Sequence, residues 1–236
     1  MEHCKATVRE FLGTACVVYF GCGTACAWSI ASEVSRFVVA SSFGAVVATL
    51  GELFPGQYNS AVTLYLALEN ALPPSQALLS VMAQVGGALT GALLLLPGED
   101  KTGTLGSNVL QADVPAAIFA EVLCTCALCL VAVRGRGWAA GSTVFACHLI
   151  LLRQTGCSLN PARTLGPAIA STLRLGRNWR EAPALRQLWL CLPPLAGSLL
   201  ASLAQRALRR TEGALTRTAA RREGRTCSIV LPESRA

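Results

Sequence analysis

Six apolar stretches, at residues 11–31, 37–50, 77–96, 115–133, 138–152 and 188–204, take up most of this chain. About 20 apolar residues suffice for a helix to cross the hydrocarbon core of a bilayer. The pattern therefore predicts an all-α membrane protein with six spanning helices. Only 14% of the residues are charged and 53% are hydrophobic, whereas an average soluble domain has roughly 25% charged residues; this argues against a water-soluble globule. The second and fifth stretches are short for a span, so polar flanks or neighbouring helices must cover their ends. The first is too long for the apolar part of a typical secretory signal and is read as a retained helix.

Basic residues set the expected orientation, because cytoplasmic loops carry the excess of Lys and Arg. Lys5 and Arg9 stand at the start, Arg134 and Arg136 between the fourth and fifth stretches, and Arg206, Arg209, Arg210, Arg217, Arg221, Arg222, Arg225 and Arg235 in the tail. With six spans all of these fall on one side, which places both termini in the cytosol; Arg174, Arg177, Arg180 and Arg186 run against the rule. The net charge of +7 is largely this tail, read as a solvated or lipid-facing arm and not as a nucleic-acid site. Thr226 and Ser228 beside Arg225 are candidate phosphorylation sites on charge context. The 11 cysteines are odd in number, and Cys16, Cys22, Cys26, Cys124, Cys126, Cys129, Cys147 and Cys191 lie inside apolar stretches. That is not a disulfide framework. No His or Cys pair has metal-ligand spacing, and neither a metal nor another cofactor is expected.

The chain also repeats itself. Residues 10–15 read EFLGTA and 121–126 read EVLCTC; residues 59–64 read NSAVTL and 160–165 read NPARTL. Each half thus has a Glu-bearing helix and, two elements later, an Asn-x-Ala segment. Three spans per half is an odd number, so the second copy enters the membrane inverted, and inverted repeats place their site between the halves near the midplane. The apolar residues after each motif, 61–68 and 162–170, are too few to cross and read as half-helices that dip in and return. Non-helical backbone at that depth is tolerated only against protein or a water-filled cavity.

Asn is a good helix cap, and Pro suits the first helical position because its missing N–H has no partner there anyway. If the two half-helices meet end to end, their positive dipole ends face one point, and Asn59 and Asn160 can turn amide N–H groups into the lumen. A water molecule there would have to present its oxygen to both donors, an arrangement that opposes cations and protons.

The stretch GCSLNPARTLGPA at residues 156–168 closely resembles the second signature loop of the aquaporins, the major intrinsic protein family, and Asn59-Ser60-Ala61 resembles the first with Ser in place of Pro. With the six-span pattern, the paired Glu10 and Glu121, and Gln84 in the third span, the resemblance covers about residues 8–207. It implies a right-handed bundle of six spanning helices plus two re-entrant half-helices, a channel unit over 1–207 with repeats of about 8–97 and 114–207, and a basic cytoplasmic tail at 208–236. A homotetramer in a plasma or intracellular vesicle membrane is carried over from the family. Asn59, Ser60, Ala61, Asn160, Pro161 and Ala162 are then the paired motifs of the pore.

By the same resemblance, distance from the second motif puts Arg163, Cys157 and His148 at the narrowest point, and alignment of the second helix adds Phe43. Together they resemble a water-selective filter: a bulky ring and an imidazole narrow the bore while Arg supplies positive charge and donors. Glycerol-conducting relatives tend to have a small residue in place of His and an Asp after the Arg; here these positions hold His148 and Thr164. A thiol at Cys157 would make the bore sensitive to mercurials. Glu10 and Glu121 read as structural carboxylates that accept backbone N–H groups of the re-entrant loops. Gly87 and Gly91 form a small-xxx-small pair suited to close helix contact. The expectation is passive water permeation. Its rivals are another small neutral solute (hydrogen peroxide, ammonia or glycerol) or a poorly conducting junction or vesicle scaffold, which Ser60 and the short loop at residues 51–58 favour. No nucleophile and base pair suggests an enzyme.

Overall fold

The computed structural model describes residues 2–28, 30–98, 100, 103–174 and 188–222. Among these the regular structure is all helical. The elements are α1 (Glu2–Trp28), α2 (Glu33–Leu53), α3 (Ser60–Leu68), α4 (Pro74–Leu93), α5 (Val114–Ala132), α6 (Gly137–Leu151), α7 (Pro161–Arg174), a 3-10 turn (Leu188–Cys191) and α8 (Leu192–Arg222). Five helices are long and apolar enough to cross a membrane, and α6 is a shorter apolar helix of 15 residues. At 1.5 Å per residue α6 spans about 22 Å, short of the roughly 30 Å hydrocarbon core. The α2 stretch, short in the sequence, lengthens to 21 residues once its polar flanks join the helix; Ser32 caps it by accepting from Ser35 N. Thr226 and Ser228, and Arg177, Arg180 and Arg186 of the loop before α8, lie outside the described residues.

The two halves pack alike. α1 lies against α4 as α5 lies against α8; α4 receives α7, and α8 receives α3. The halves meet where α2 crosses α6. There the helices touch backbone to backbone: a Cβ built on Gly44 would stand 2.9 Å from Gly141 O, and one on Gly51 would stand 2.5 Å from Gly137 Cα. Side-chain-free contact of this kind lets van der Waals packing hold helices in lipid, where no hydrophobic drive exists. Gly87 and Gly91 make the equivalent approach of α4 to α1, where a Cβ would collide with Phe11 O and Ala15 O.

Neither half-helix crosses. α3 has nine residues, and α7 runs to Arg174, longer than the 162–170 its apolar run suggests. The far end of α3 is tied to α8: Ser202 Oγ donates to Glu69 Oε1 at 2.7 Å, and Arg206 and Arg209 pair with the same carboxylate at 3.4 and 3.2 Å. The far end of α7 is tied to the α4–α5 connection through Arg174 and Asp100, 3.1 Å apart. Large apolar side chains face outward on every long helix, among them Leu12, Phe37, Met82, Phe119 and Leu203. That is the surface expected of a chain whose surroundings are lipid.

Candidate functional site

Tyr58 and Leu159, the residues before the two asparagines, hold left-handed backbone at φ 53 and 51. For residues other than Gly this costs about 1–2 kcal/mol each. A buried carboxylate compensates at each place. Glu10 accepts from Gln57 N at 2.7 Å and Tyr58 N at 2.8 Å; Glu121 accepts from Ser158 N at 2.7 Å and Leu159 N at 3.0 Å. Hydrogen bonds to a charged group contribute about 1.5–3 kcal/mol each, so two of them outweigh the strain. Glu121 also accepts from Thr155 Oγ1 at 2.5 Å. The chain can then turn back at membrane depth with these N–H groups paired.

Each turn delivers an asparagine to the start of a half-helix. Asn59 Oδ1 accepts from Ala61 N at 2.8 Å, and Asn160 Oδ1 from Ala162 N at 3.1 Å. The other ends of the amides cross over: Asn59 Nδ2 donates to Leu159 O at 3.0 Å and Asn160 Nδ2 to Tyr58 O at 2.8 Å. The loops are thus stitched together reciprocally, with one amide hydrogen per Asn used and one left over. Both asparagines line a cavity of about 420 Å³ that reaches from the α5–α6 turn at Gly135–Gly137 to Phe43, His148 and Arg163. Its walls are mainly apolar, with Val17, Val62, Leu66, Leu128 and Val144 among them.

At the end opposite the α5–α6 turn the rings of Phe43 and His148 stack with centroids 4.2 Å apart, and the Arg163 guanidinium stands 5.2 Å from the Phe43 centroid. Carbon atoms in contact sit about 3.5–4.0 Å apart, so a permeating molecule passes beside the stacked pair and not between the two rings. Arg163 is 3% exposed and is held by oxygens: Nη1 donates to Gly106 O at 2.9 Å and to Asn108 Oδ1 at 3.1 Å, and Nη2 to Gly156 O at 3.5 Å. Among the described residues no carboxylate forms an ion pair with it. His148 Nδ1 lies 2.8 Å from Val144 O, which fixes the ring on α6. Two buried polar atoms at this end, His148 Nε2 and Arg163 Nε, have no partner in the protein.

Of the residues the sequence singles out, Phe43, Asn59, His148, Asn160 and Arg163 share this cavity, while Cys157 is wholly buried and is not among its lining residues. Ser60, Ala61, Pro161 and Ala162 sit in the first turns of α3 and α7. Gln84 donates to Glu10 Oε2 at 2.7 Å. Sequence reasoning missed Gly106 and Asn108, which descend from the α4–α5 connection to hold Arg163. Asn108 is 2% exposed, also accepts from Thr164 Oγ1 at 3.0 Å and donates to Thr155 O at 3.1 Å. Nothing in a polar interhelical stretch marks such a residue in advance.

The sequence model of the family described as Major intrinsic protein matches residues 1–205. The chain belongs to the major intrinsic protein family. It is therefore a multi-pass membrane channel protein and not an enzyme. The chain is 32% identical to Aquaporin-5 of Homo sapiens over 218 residues, covering 84% of this chain and 78% of that protein. It is 33% identical to Aquaporin-2 of Homo sapiens, covering 84% and 76%, and 33% identical to Aquaporin-6 of Mus musculus, covering 84% and 70%. Among solved structures, the aquaglyceroporin from Plasmodium falciparum superposes with a TM-score of 0.73 at 20% identity, over 85% of this chain and 94% of that one. At that identity the likeness shows the shared fold.

Proposed function

We propose that this channel conducts water passively down osmotic gradients and excludes ions and protons. The observation that carries the reading is the polar lining of an otherwise apolar cavity. It includes one spare amide hydrogen on each of Asn59 and Asn160, and the unpartnered His148 Nε2 and Arg163 Nε beside the Phe43 ring. Buried polar atoms are normally paired, and a file of permeating water supplies partners to all four in turn. Two N–H donors at the Asn pair make each water present its oxygen there, which breaks a continuous donor-to-acceptor chain for protons. The fixed charge of Arg163 repels cations by about 4 kcal/mol at 4 Å with an effective dielectric constant near 20, roughly a thousandfold in occupancy. The stacked Phe43 and His148 rings leave little room for a molecule with a carbon skeleton. In this reading Phe43, His148 and Arg163 form the filter, with Cys157 behind it. The relatives named Aquaporin-5 and Aquaporin-2 support the same permeant. The positive-inside pattern supports cytosolic termini, and four such chains, each with its own pore, make the assembly.

The test is light scattering from proteoliposomes after an osmotic jump. Shrinkage well above that of protein-free vesicles, with a low activation energy and no collapse of an imposed pH gradient, is expected. Shrinkage no faster than that of empty vesicles, with the protein shown to be folded and inserted, would overturn the assignment.

A further inference from the structure

Ser60 and Pro161 occupy the same first helical position in the two halves, directly after Asn59 and Asn160. They differ in what they can donate. Proline fixes its own backbone angle but has no N–H. The Ser60 backbone N–H donates to Asn160 Oδ1 at 3.1 Å, a bond between the two loops that proline cannot make and that has no mirror image at Pro161. Its hydroxyl donates to Gln84 Oε1 at 2.9 Å. Gln84, wholly buried on α4, spends its amide hydrogens on Glu10 Oε2 at 2.7 Å and Thr63 Oγ1 at 2.8 Å. Glu10 in turn holds the N–H groups of Gln57 and Tyr58.

These bonds leave the network little freedom. With both Gln84 hydrogens committed, Gln84 Oε1 requires a donor, and Ser60 Oγ supplies it. With Asn160 Oδ1 receiving N–H groups from Ser60 and Ala162, the amide plane is fixed and Nδ2 is left facing Tyr58 O and the cavity. We propose that Ser60 is a positioning residue for the Asn59–Asn160 pair. Its hydroxyl anchors α3 to the Glu10–Gln84 network, and its N–H orients the amide of the opposite half, so hydrogen bonds do here what ring geometry does at Pro161. The inference rests on the reading of the Asn pair as the donors that water meets.

The experiment compares wild type, Ser60→Ala, Ser60→Pro, Gln84→Leu and the Ser60→Ala/Gln84→Leu double variant in proteoliposomes. Water permeability is expressed per inserted folded protomer, and thermal midpoints are measured on the same preparations. Ser60→Ala is expected to lower unit permeability about threefold or more, the scale of one lost hydrogen bond. Ser60→Pro, which exchanges these bonds for the ring geometry found at Pro161, should conduct better than Ser60→Ala, and the double variant should fall no further than Gln84→Leu alone. A role limited to folding would reduce the amount of inserted protein and leave unit permeability intact; that result, or conduction by Ser60→Pro no better than by Ser60→Ala, overturns the proposal. If wild type itself passes no water, the water-channel reading fails and the thermal midpoints decide about Ser60. Overlapping shifts for Ser60→Ala and Gln84→Leu sustain the network, and additive shifts refute it.

Discussion

Replacing Glu121 by Gln tests whether the buried carboxylate holds the second re-entrant loop in place. Glu121 is wholly buried, and its two oxygens take three donors: Thr155 Oγ1 and Ser158 N on one, Leu159 N on the other. A Gln side chain offers one acceptor oxygen and turns an NH₂ toward the remaining donor. The less costly orientation keeps Thr155 and Ser158 paired and leaves Leu159 N facing a donor. An orphaned buried N–H costs about 1–3 kcal/mol, and the two surviving bonds each lose about 1 kcal/mol on going from a charged to a neutral acceptor. The sum is about 3–5 kcal/mol, and Leu159, strained at φ 51, loses its tether as well. For a chain of this size 1 kcal/mol moves the thermal midpoint by about 2–4 °C, so a fall on the order of 10 °C is expected. Thermal unfolding of purified protein in detergent measures it. Glu52→Gln serves as control, since that side chain is exposed and its one bond, accepted from Trp138 N, can be kept by the amide oxygen, and such surface changes stay within about 0.5 kcal/mol. A Glu121→Gln midpoint within about 2 °C of wild type would refute the reasoning.

Three further outcomes follow from the geometry. His148→Ala removes the ring stacked on Phe43 and is expected to raise glycerol flux about tenfold or more, the range over which pocket size discriminates between solutes; vesicle swelling in a glycerol gradient reads it, and unchanged flux would place the size limit elsewhere. Because the Cys157 thiol is wholly buried and does not line the cavity, brief mercurial treatment should leave water flux unaltered, since thiol reactivity needs access; rapid block that Cys157→Ser abolishes would show that the thiol reaches the lumen. Gly141→Leu forces a side chain into Gly44 O and Ala48 at the α2–α6 crossing, and the overpacking should cost about 1–3 kcal/mol or more, visible as a lowered thermal midpoint; an unchanged midpoint would mean that the crossing can open freely.

Hydropathy, the Glu and Asn-x-Ala repeats and one thirteen-residue stretch were enough to specify a helical membrane bundle with two half-helices and to single out Phe43, Asn59, His148, Asn160 and Arg163. These signals are local: apolar length sets a span, and an Asn followed by a short apolar run sets a capped half-helix. The α6 helix is harder to read, because its 15 residues fall short of a full span and its packing on α2 through glycines is a tertiary contact. What holds Arg163 was not legible at all. Gly106 and Asn108 lie more than fifty residues from it in the chain and act through a carbonyl and an amide of kinds common to polar loops.

Residue types and their order therefore suffice for the class of fold, the inverted repeat and the identity of the polar residues within it, since each follows from periodicity and cost in lipid over short spans of chain. Only the tertiary structure decided how those residues are wired. Ser60 by residue type is a missing proline, but in the fold its N–H reaches Asn160 and its hydroxyl Gln84, and Cys157 is wholly buried in a turn at φ 60. Hydrogen bonds join atoms across about a hundred residues of chain, and their direction depends on backbone angles and on the arrival of a second loop, neither of which is written in the residue types alone.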